Sequence, residues 1–247
     1  MLLKEIVDFL EQKAPAATAE EWDNVGLLVD TGCEEIATAV VALDATPAAL
    51  AFAVENGAKL LITHHPIIFS PLSAVTADIP AMAALTAGVS VLSLHTNLDK
   101  AAGGVNDTLA RLLALRDVRV AADGMTRLGE LEAPMTAPNF AAYVSKTLDT
   151  PVSYTYGRMV KTVAVCGGGA GDGVFAFADA ADAYVTGEIK HHEFLAAKDR
   201  LFTAVAAGHY ATEVPVVDTL TAWLREAFST LSVLPFYDEA PYKSVLR

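Results

Sequence analysis

The chain has 247 residues, of which 53% are hydrophobic and 19% charged, so it can bury a large core in one large or two closely packed lobes. Its net charge of −13, with only 17 lysines and arginines, argues against a nucleic-acid or anionic-membrane surface, because phosphate neutralisation needs clustered positive side chains. The first element predicted, in residues 2–10, is an amphipathic helix, because charged residues interrupt the apolar ones as they would not in a signal peptide.

Strand-like apolar runs then alternate with alanine-rich stretches. Strands rich in Val, Ile and Leu are predicted at 38–46, 58–66, 89–97, 161–169, 181–189 and 200–208. Helices closed by glycine are predicted at 47–57 and 79–88. No apolar run reaches the length of a membrane span. The alternation indicates an α/β fold.

The middle of the chain differs in character from the rest. Residues 123–160 include Pro134, Pro138 and Pro151, and a helix there could start at Pro138. We place the junction of two lobes in this stretch, with lobe one at 1–125 and lobe two at 126–247, packed so closely that they could form one structural domain.

The two cysteines, Cys33 and Cys166, lack the spacing of a zinc ribbon and are too few for a disulfide framework. We interpret them as free buried thiols, and we expect a cytoplasmic protein.

All six histidines fall in four short segments. These are "THHP" (63–66), "LHTNLD" (94–99), "KHHE" (190–193) and "GHYATE" (208–213). In three of them the histidines stand at or just past the end of a predicted strand, where ligand sites form in open α/β sheets. A single histidine is usually structural, but the clustering favours a binding site.

Imidazole and carboxylate groups suit zinc, iron, manganese or nickel. Adjacent side chains on a strand point to opposite faces, although the chain turns at Pro66, which also holds His65 extended. His64 and His65 therefore fit a pair of ions, one on each, better than a single ion. Asp99 has two oxygens with which it could bridge two cations. His209 and Glu213 would share one face of a helix, although Pro215 could leave them in a loop, and they could converge in either case. These residues predict a two-metal site.

Five motifs carry a resemblance to a known family. They are "WDNVGLLV" (22–29), "ITHHPIIF" (62–69), "HTNLDKAAGGVND" (95–107), "TGEIKHHE" (186–193) and "AGHYATE" (207–213). In these motifs and their order the chain resembles the NIF-three-like dinuclear-metal-centre family, whose members are often labelled GTP cyclohydrolase 1 type 2 homologs.

The resemblance implies a set of metal ligands and an assembly. The ligands carried over are His64, His65, Asp99, His209 and Glu213. The fold implied has two similar-sized, intertwined α/β lobes with mixed sheets flanked by helices. Six such chains would form a toroidal homohexamer with the metal pairs facing its cavity.

Two classes of function remain. The first is a metal-dependent hydrolase in which two divalent ions activate water for attack on a nucleotide-like substrate. The second is a non-catalytic metal-binding hexameric scaffold, a metal chaperone or a regulatory partner. We favour the hydrolase, because five ligands shared by two ions leave coordination positions open. DNA binding through the ring is a third hypothesis, which the acidic charge disfavours.

Three histidines lie outside the ligand set, and we interpret His95, His191 and His192 as pocket residues. His191 and His192 stand at a predicted helix start. There they are either solvated surface residues, or they transfer a proton or hold a substrate phosphate. His64 and His65 are expected to have few acidic residues nearby and are followed by Pro66, which makes the backbone rigid. This setting suits fixed metal ligands.

The glycines of "CGGGAGDG" (166–173) do not form a phosphate-binding loop. Asp172 stands where the third glycine of G-x-G-x-x-G is required, and no G-K-[ST] follows. We predict a tight turn from strand to helix, with some room for an anion on its amides.

Overall fold

The structure, a computed structural model, describes residues 1–243, and its elements are numbered in chain order. The helices are α1 (Leu3–Lys13), α2 (Pro47–Glu55), α3 (Pro80–Ala87), α4 (Thr96–Lys100), α5 (Val105–Leu112), α6 (Ala137–Thr147), α7 (Gly173–Phe177), α8 (His191–Asp199), α9 (His209–Glu213) and α10 (Val216–Ala227). The strands are β1 (Gly26–Val29), β2 (Thr38–Ala42), β3 (Leu60–Thr63), β4 (Ser90–Ser93), β5 (Arg116–Val120), β6 (Arg127–Met135), β7 (Ser153–Tyr154), β8 (Val160–Val165), β9 (Ala183–Thr186), β10 (Thr203–Ala206) and β11 (Ser232–Pro235).

The chain divides into two compact units. The first comprises Met1–Gly104 and Val216–Glu239, and the second comprises Val105–Pro215 and residues 240–243. The predicted junction between residues 125 and 126 lies inside the second unit, since β5 and β6 pair there in one sheet. The chain returns to the first unit after Pro215, because β11 pairs in parallel with β2.

The first unit contains a five-stranded sheet in the order β1-β4-β3-β2-β11. Its strands run parallel except β1, which pairs antiparallel with β4. Val40, Leu61 and Val91 from three neighbouring strands are fully buried, and they pack in one cluster with Ala49 and Ala53 of α2. The predicted strands in this unit are confirmed, but each ends three or four residues earlier than expected.

The second unit contains a six-stranded mixed sheet in the order β5-β6-β8-β9-β10-β7. Only β8, β9 and β10 run parallel to one another. Side chains of these strands alternate between two cores, because successive residues of a strand point to opposite faces. Val163, Val185 and Val205 join the core that contains Phe140 of α6, whereas Tyr184 joins the other. The fold is therefore mixed α/β, with two mixed sheets flanked by helices, as predicted.

The cysteines partly match their prediction. Within residues 1–243 neither cysteine forms a disulfide, and Cys166 is buried, but Cys33 is only half-buried because it lies in the loop between β1 and β2. None of the helices in residues 1–243 combines the length and the apolar character needed to cross a bilayer.

Candidate metal centre

His64 and His65 lie just past the end of β3. Both backbone amides donate to the carbonyl of Leu43, at 3.1 Å and 3.0 Å. The strand ends at Thr63, so the alternation of side chains along a strand no longer applies to this pair. Their ring centroids are 4.9 Å apart. The expected placement on opposite faces is therefore wrong, and the two rings lie side by side.

His95 joins this pair and completes a histidine triad. It stands between β4 and α4, and β4 is the parallel neighbour of β3. One ring nitrogen from each of His64, His65 and His95 lies within 4.8 Å of the others, close enough for the three to hold a metal ion. His95, predicted as a pocket residue, is thus also a potential ligand.

Each ring of the triad contacts an oxygen through Nδ1. The partners are the carbonyl of Leu94 for His64 (2.9 Å), Asp44 Oδ1 for His65 (2.7 Å) and Asp23 Oδ1 for His95 (2.8 Å). Carbonyl and carboxylate oxygens accept hydrogen bonds, so Nδ1 carries the hydrogen in each ring. The remaining nitrogen, Nε2, then has the lone pair that a metal ion requires.

Asp44 and Asp23 are candidate site residues of the first unit that sequence reasoning missed. The expectation of few acids near His65 is wrong, because Asp44 follows β2 and β2 is the parallel neighbour of β3. Asp44 stands at a strand end in the sequence, as His65 does, and this shared position is the signal that could have revealed it. Asp23 lies in the "WDN" motif, which no periodicity connects to His95.

The pKa values of Asp23 and His95 both lie below their ordinary values, for different reasons. Burial raises the pKa of Asp23, but hydrogen bonds from Thr96 and His95 outweigh it and hold that pKa below its ordinary value. Burial and the neighbouring His64 lower the pKa of His95, although Asp23 opposes them. His95 is therefore neutral at pH 7, and neutral imidazole is the form that binds metals.

Asp99 lies in α4 beside the triad. Its amide donates to the carbonyl of His95 at 3.1 Å, which sets the first turn of the helix. Its Oδ1 is 3.7 Å from His64 Nε2, and the residue is buried. A contact between a carboxylate oxygen and a nitrogen lone pair is favourable only when a cation or a proton lies between the two atoms.

The second unit contains the other predicted ligands, His209 and Glu213. They begin and end α9, so the helical alternative for this motif is confirmed. His209 Nε2 is 3.1 Å from Glu213 Oε2, while His209 Nδ1 is 3.1 Å from Glu188 Oε1. This ring thus has the same arrangement as that of His64, with Nδ1 on an oxygen and Nε2 toward a carboxylate. The pair fits a divalent cation.

The glycine-rich turn after β8 packs against this pair. A Cβ on Gly168 would lie 2.2 Å from Glu213 Oε1 and 3.3 Å from His209 Nε2, and the residue has a φ of +66°. A Cβ on Gly187 would lie 2.7 Å from the Cα of His209. The predicted tight turn is confirmed, and Gly168 in this turn and Gly187 after β9 leave room for the two side chains.

A methyl group at Gly168 should therefore weaken metal binding. Gly168→Ala is expected to displace the Glu213 carboxylate and to lower metal affinity by about 10- to 100-fold, as for other disturbances around metal ligands. Gly57→Ala is a matched control, because Gly57 also has a φ of +66°, and within residues 1–243 no heavy atom other than its own and those of its chain neighbours lies within 4 Å of its Cβ position. Both substitutions place a side chain at a φ of +66°. Equal metal affinities of the two variants, measured by competition with a chelating dye, would therefore contradict this role of Gly168.

His191 and His192 occupy the first turn of α8, and both are exposed. The His192 ring stacks with Phe175 at 6.4 Å between centroids. Across residues 1–243, neither histidine belongs to a group of three or more side chains that could hold a metal. Their exposure is what the solvated-surface alternative predicts.

Changing both His191 and His192 to alanine should leave the metal content intact. The double variant is expected to lower turnover by about 100-fold if either ring transfers a proton. Elemental analysis and steady-state rates on the same preparation would separate the alternatives. Loss of metal would place the pair among the ligands, and unchanged turnover would leave it as solvated surface.

Comparisons with known proteins find relatives that match nearly the whole chain. A family described as Duf34/NIF3 (NGG1p interacting factor 3) matches residues 1–239. A Nostoc sp. protein named "GTP cyclohydrolase 1 type 2 homolog" is 32% identical over 242 residues, which cover 91% of this chain and 92% of that protein. A Pyrococcus horikoshii protein of the same name is 32% identical over 239 residues, covering 93% and 95%.

The fold is also found in a solved structure. The crystal structure of a Bacillus cereus protein related to NIF3 has a TM-score of 0.91 to this chain, and the match covers 99% of both chains. The two sequences are 21% identical, so this comparison shows a shared fold. The match over residues 1–239 and the five motifs together lead to one conclusion: the chain belongs to the Duf34/NIF3 family.

Proposed function

We propose that this chain is a metal-dependent hydrolase of a nucleotide-like substrate. In this proposal His64, His65, Asp99, His209 and Glu213 hold two divalent transition-metal ions, of zinc, iron, manganese or nickel. The observation that supports it most is the shared ring orientation. His64 and His209 each contact an oxygen through Nδ1 and face a carboxylate through Nε2, as metal-binding histidines do.

The chemistry of the donor groups supports a catalytic site over a structural one. Structural zinc sites usually have four protein ligands, often thiolates, on one ion. Five imidazole and carboxylate ligands on two ions leave positions for water and substrate. Two bound divalent ions would supply Lewis acidity and lower the pKa of water.

The remaining residues orient ligands or move protons. Asp44 fixes the ring of His65, and Glu188 fixes the ring of His209. His95 is neutral and is held by Asp23, so its Nε2 can accept a proton within the triad and release it to a leaving group.

The test is metal analysis of protein purified without chelator, followed by a screen of nucleotides and phosphoesters. Turnover that stops on chelation and returns with one added metal is expected. His64→Ala should lose metal and turnover together, whereas Lys4→Ala, which removes only an exposed ion pair with Asp8, should lose neither. Full metal occupancy without turnover of any compound would favour the scaffold or chaperone alternative.

We also propose that the chain assembles as the toroidal homohexamer that the resemblance implies. Light scattering of the purified protein should then give about six times the mass of one chain. A monomer at micromolar concentration would contradict the hexamer, while leaving the ligand set to be tested by metal analysis.

A further inference from the structure

Two exposed aromatic side chains lie next to the histidine triad. Trp22 is 61% exposed and Phe69 is 54% exposed. Their ring centroids are 5.9 Å apart, and each is 6.2 Å from the centroid of His95. Large rings bury much apolar area when they are covered, and neighbouring exposed apolar groups often mark a binding surface. An aromatic surface therefore borders the triad within the first unit.

The backbone beneath these rings is held in place by polar contacts. Asp23, which follows Trp22, has a fully buried side chain and accepts a hydrogen bond from the amide of Thr96 at 3.0 Å. Asn24 Nδ2 donates to the carbonyl of Ile68, the residue before Phe69, at 2.5 Å. The two aromatic segments are thus joined to each other and to the start of α4. A ligand that binds there would therefore lose little free energy in ordering these two segments.

We propose that Trp22 and Phe69 form a stacking site for the planar heteroaromatic base of the substrate, beside the histidines of the first unit. This proposal rests on the proposed function, and it names the part of a nucleotide that this surface would recognise. The planes of the two rings are inclined at 49°, so they do not stack face to face and do not cover each other's faces. A base can stack on such a face without a hydrogen-bonding partner.

The chemistry of the surface favours the base over the other parts of a nucleotide. Two neutral rings offer a base a large contact area, whereas phosphate groups bind best to cations or to backbone amides. In the proposed function the metal ions would attract the charged part of the substrate. The aromatic pair would then set which ring system is accepted.

Trp22 itself provides a direct readout of base binding. The chain has two tryptophans, so Trp223→Phe leaves Trp22 as the only source of tryptophan fluorescence. GTP and guanosine are expected to quench this fluorescence, whereas ribose 5-phosphate and inorganic triphosphate are not. The titrations are run with and without EDTA, and guanosine should bind in both conditions. Absence of quenching by both GTP and guanosine would overturn the proposal.

Alanine variants test the contribution of each ring. Trp22→Ala and Phe69→Ala should each weaken guanosine binding, measured by calorimetry, by about 5- to 100-fold, the range for loss of one stacking contact. Both should keep the metal content of the unaltered chain. Tyr156→Ala is the control, because Tyr156 is also an exposed ring but lies in the second unit. Guanosine affinity unchanged in both variants would overturn the stacking site.

The same measurements separate this proposal from the hydrolase itself. Guanosine binding that depends on both rings, without turnover of any nucleotide, would retain the stacking site and reject the hydrolase. Metal-dependent turnover with guanosine affinity unchanged by Trp22→Ala and Phe69→Ala would retain the hydrolase and reject the stacking site. A change in oligomeric mass with unchanged affinity would show that the rings pack against a second copy, which also rejects the stacking site.

Discussion

Asp99→Ala is expected to lose both metal ions, and to lose them more completely than a change at any single histidine. The physical reason is the proposed bridging role, since one carboxylate with two oxygens would serve two cations. The geometry that supports it is the 3.7 Å separation between Asp99 Oδ1 and His64 Nε2, on a helix whose first turn is set by the carbonyl of His95. Elemental analysis after dialysis measures the loss.

A matched control for this variant is Asp8→Ala. Asp8 belongs to the same unit, but its carboxylate is exposed and forms only a surface ion pair with Lys4. Asp8→Ala should keep full metal content and turnover. Equal full occupancy in Asp99→Ala and the unaltered chain would rule out the bridge.

The second large effect expected is on stability and concerns Arg127, which is 1% exposed. Its Nε donates to Asp107 Oδ1 at 2.5 Å, and its guanidinium also donates to the carbonyl of Met125 at 2.7 Å. Asp107→Ala would leave a buried positive charge without this carboxylate. We expect a loss of about 3 kcal/mol, the lower end of the range for a broken buried pair, because the Asp107 side chain is 29% exposed.

Urea unfolding would measure this loss, and the transition temperature should fall by about 10 °C for a chain of this size. Glu132→Ala serves as the control, because it breaks an ion pair between Glu132 and Arg116 in which both side chains are well exposed. That change should cost less than about 1 kcal/mol. Similar losses in the two variants would mean that burial does not set the strength of the Arg127 contact.

Much of the fold was predictable because short patterns encode local structure. Buried strands read as continuous runs of Val, Ile and Leu, so β2, β3, β4, β8, β9 and β10 were located from the sequence. The helices at Pro47 and Pro80 were predictable from their prolines and closing glycines. Strand ends were less certain, since an apolar residue just past a strand looks like one inside it. For this reason the side chains of His64 and His65 were expected on opposite faces of a strand, although the strand ends at Thr63.

By itself, the sequence determined the family, the α/β class and the histidines and carboxylates at strand ends, because each depends on residues close together in the chain. Only the tertiary structure decided which groups meet. The contact of His95 with Asp23 joins residues 72 positions apart, and those of His65 with Asp44 and His209 with Glu188 each span 21 positions. The return of β11 to the first sheet is likewise a long-range pairing. Strand order sets these contacts, and strand order depends on the packing of the whole chain rather than on any local pattern.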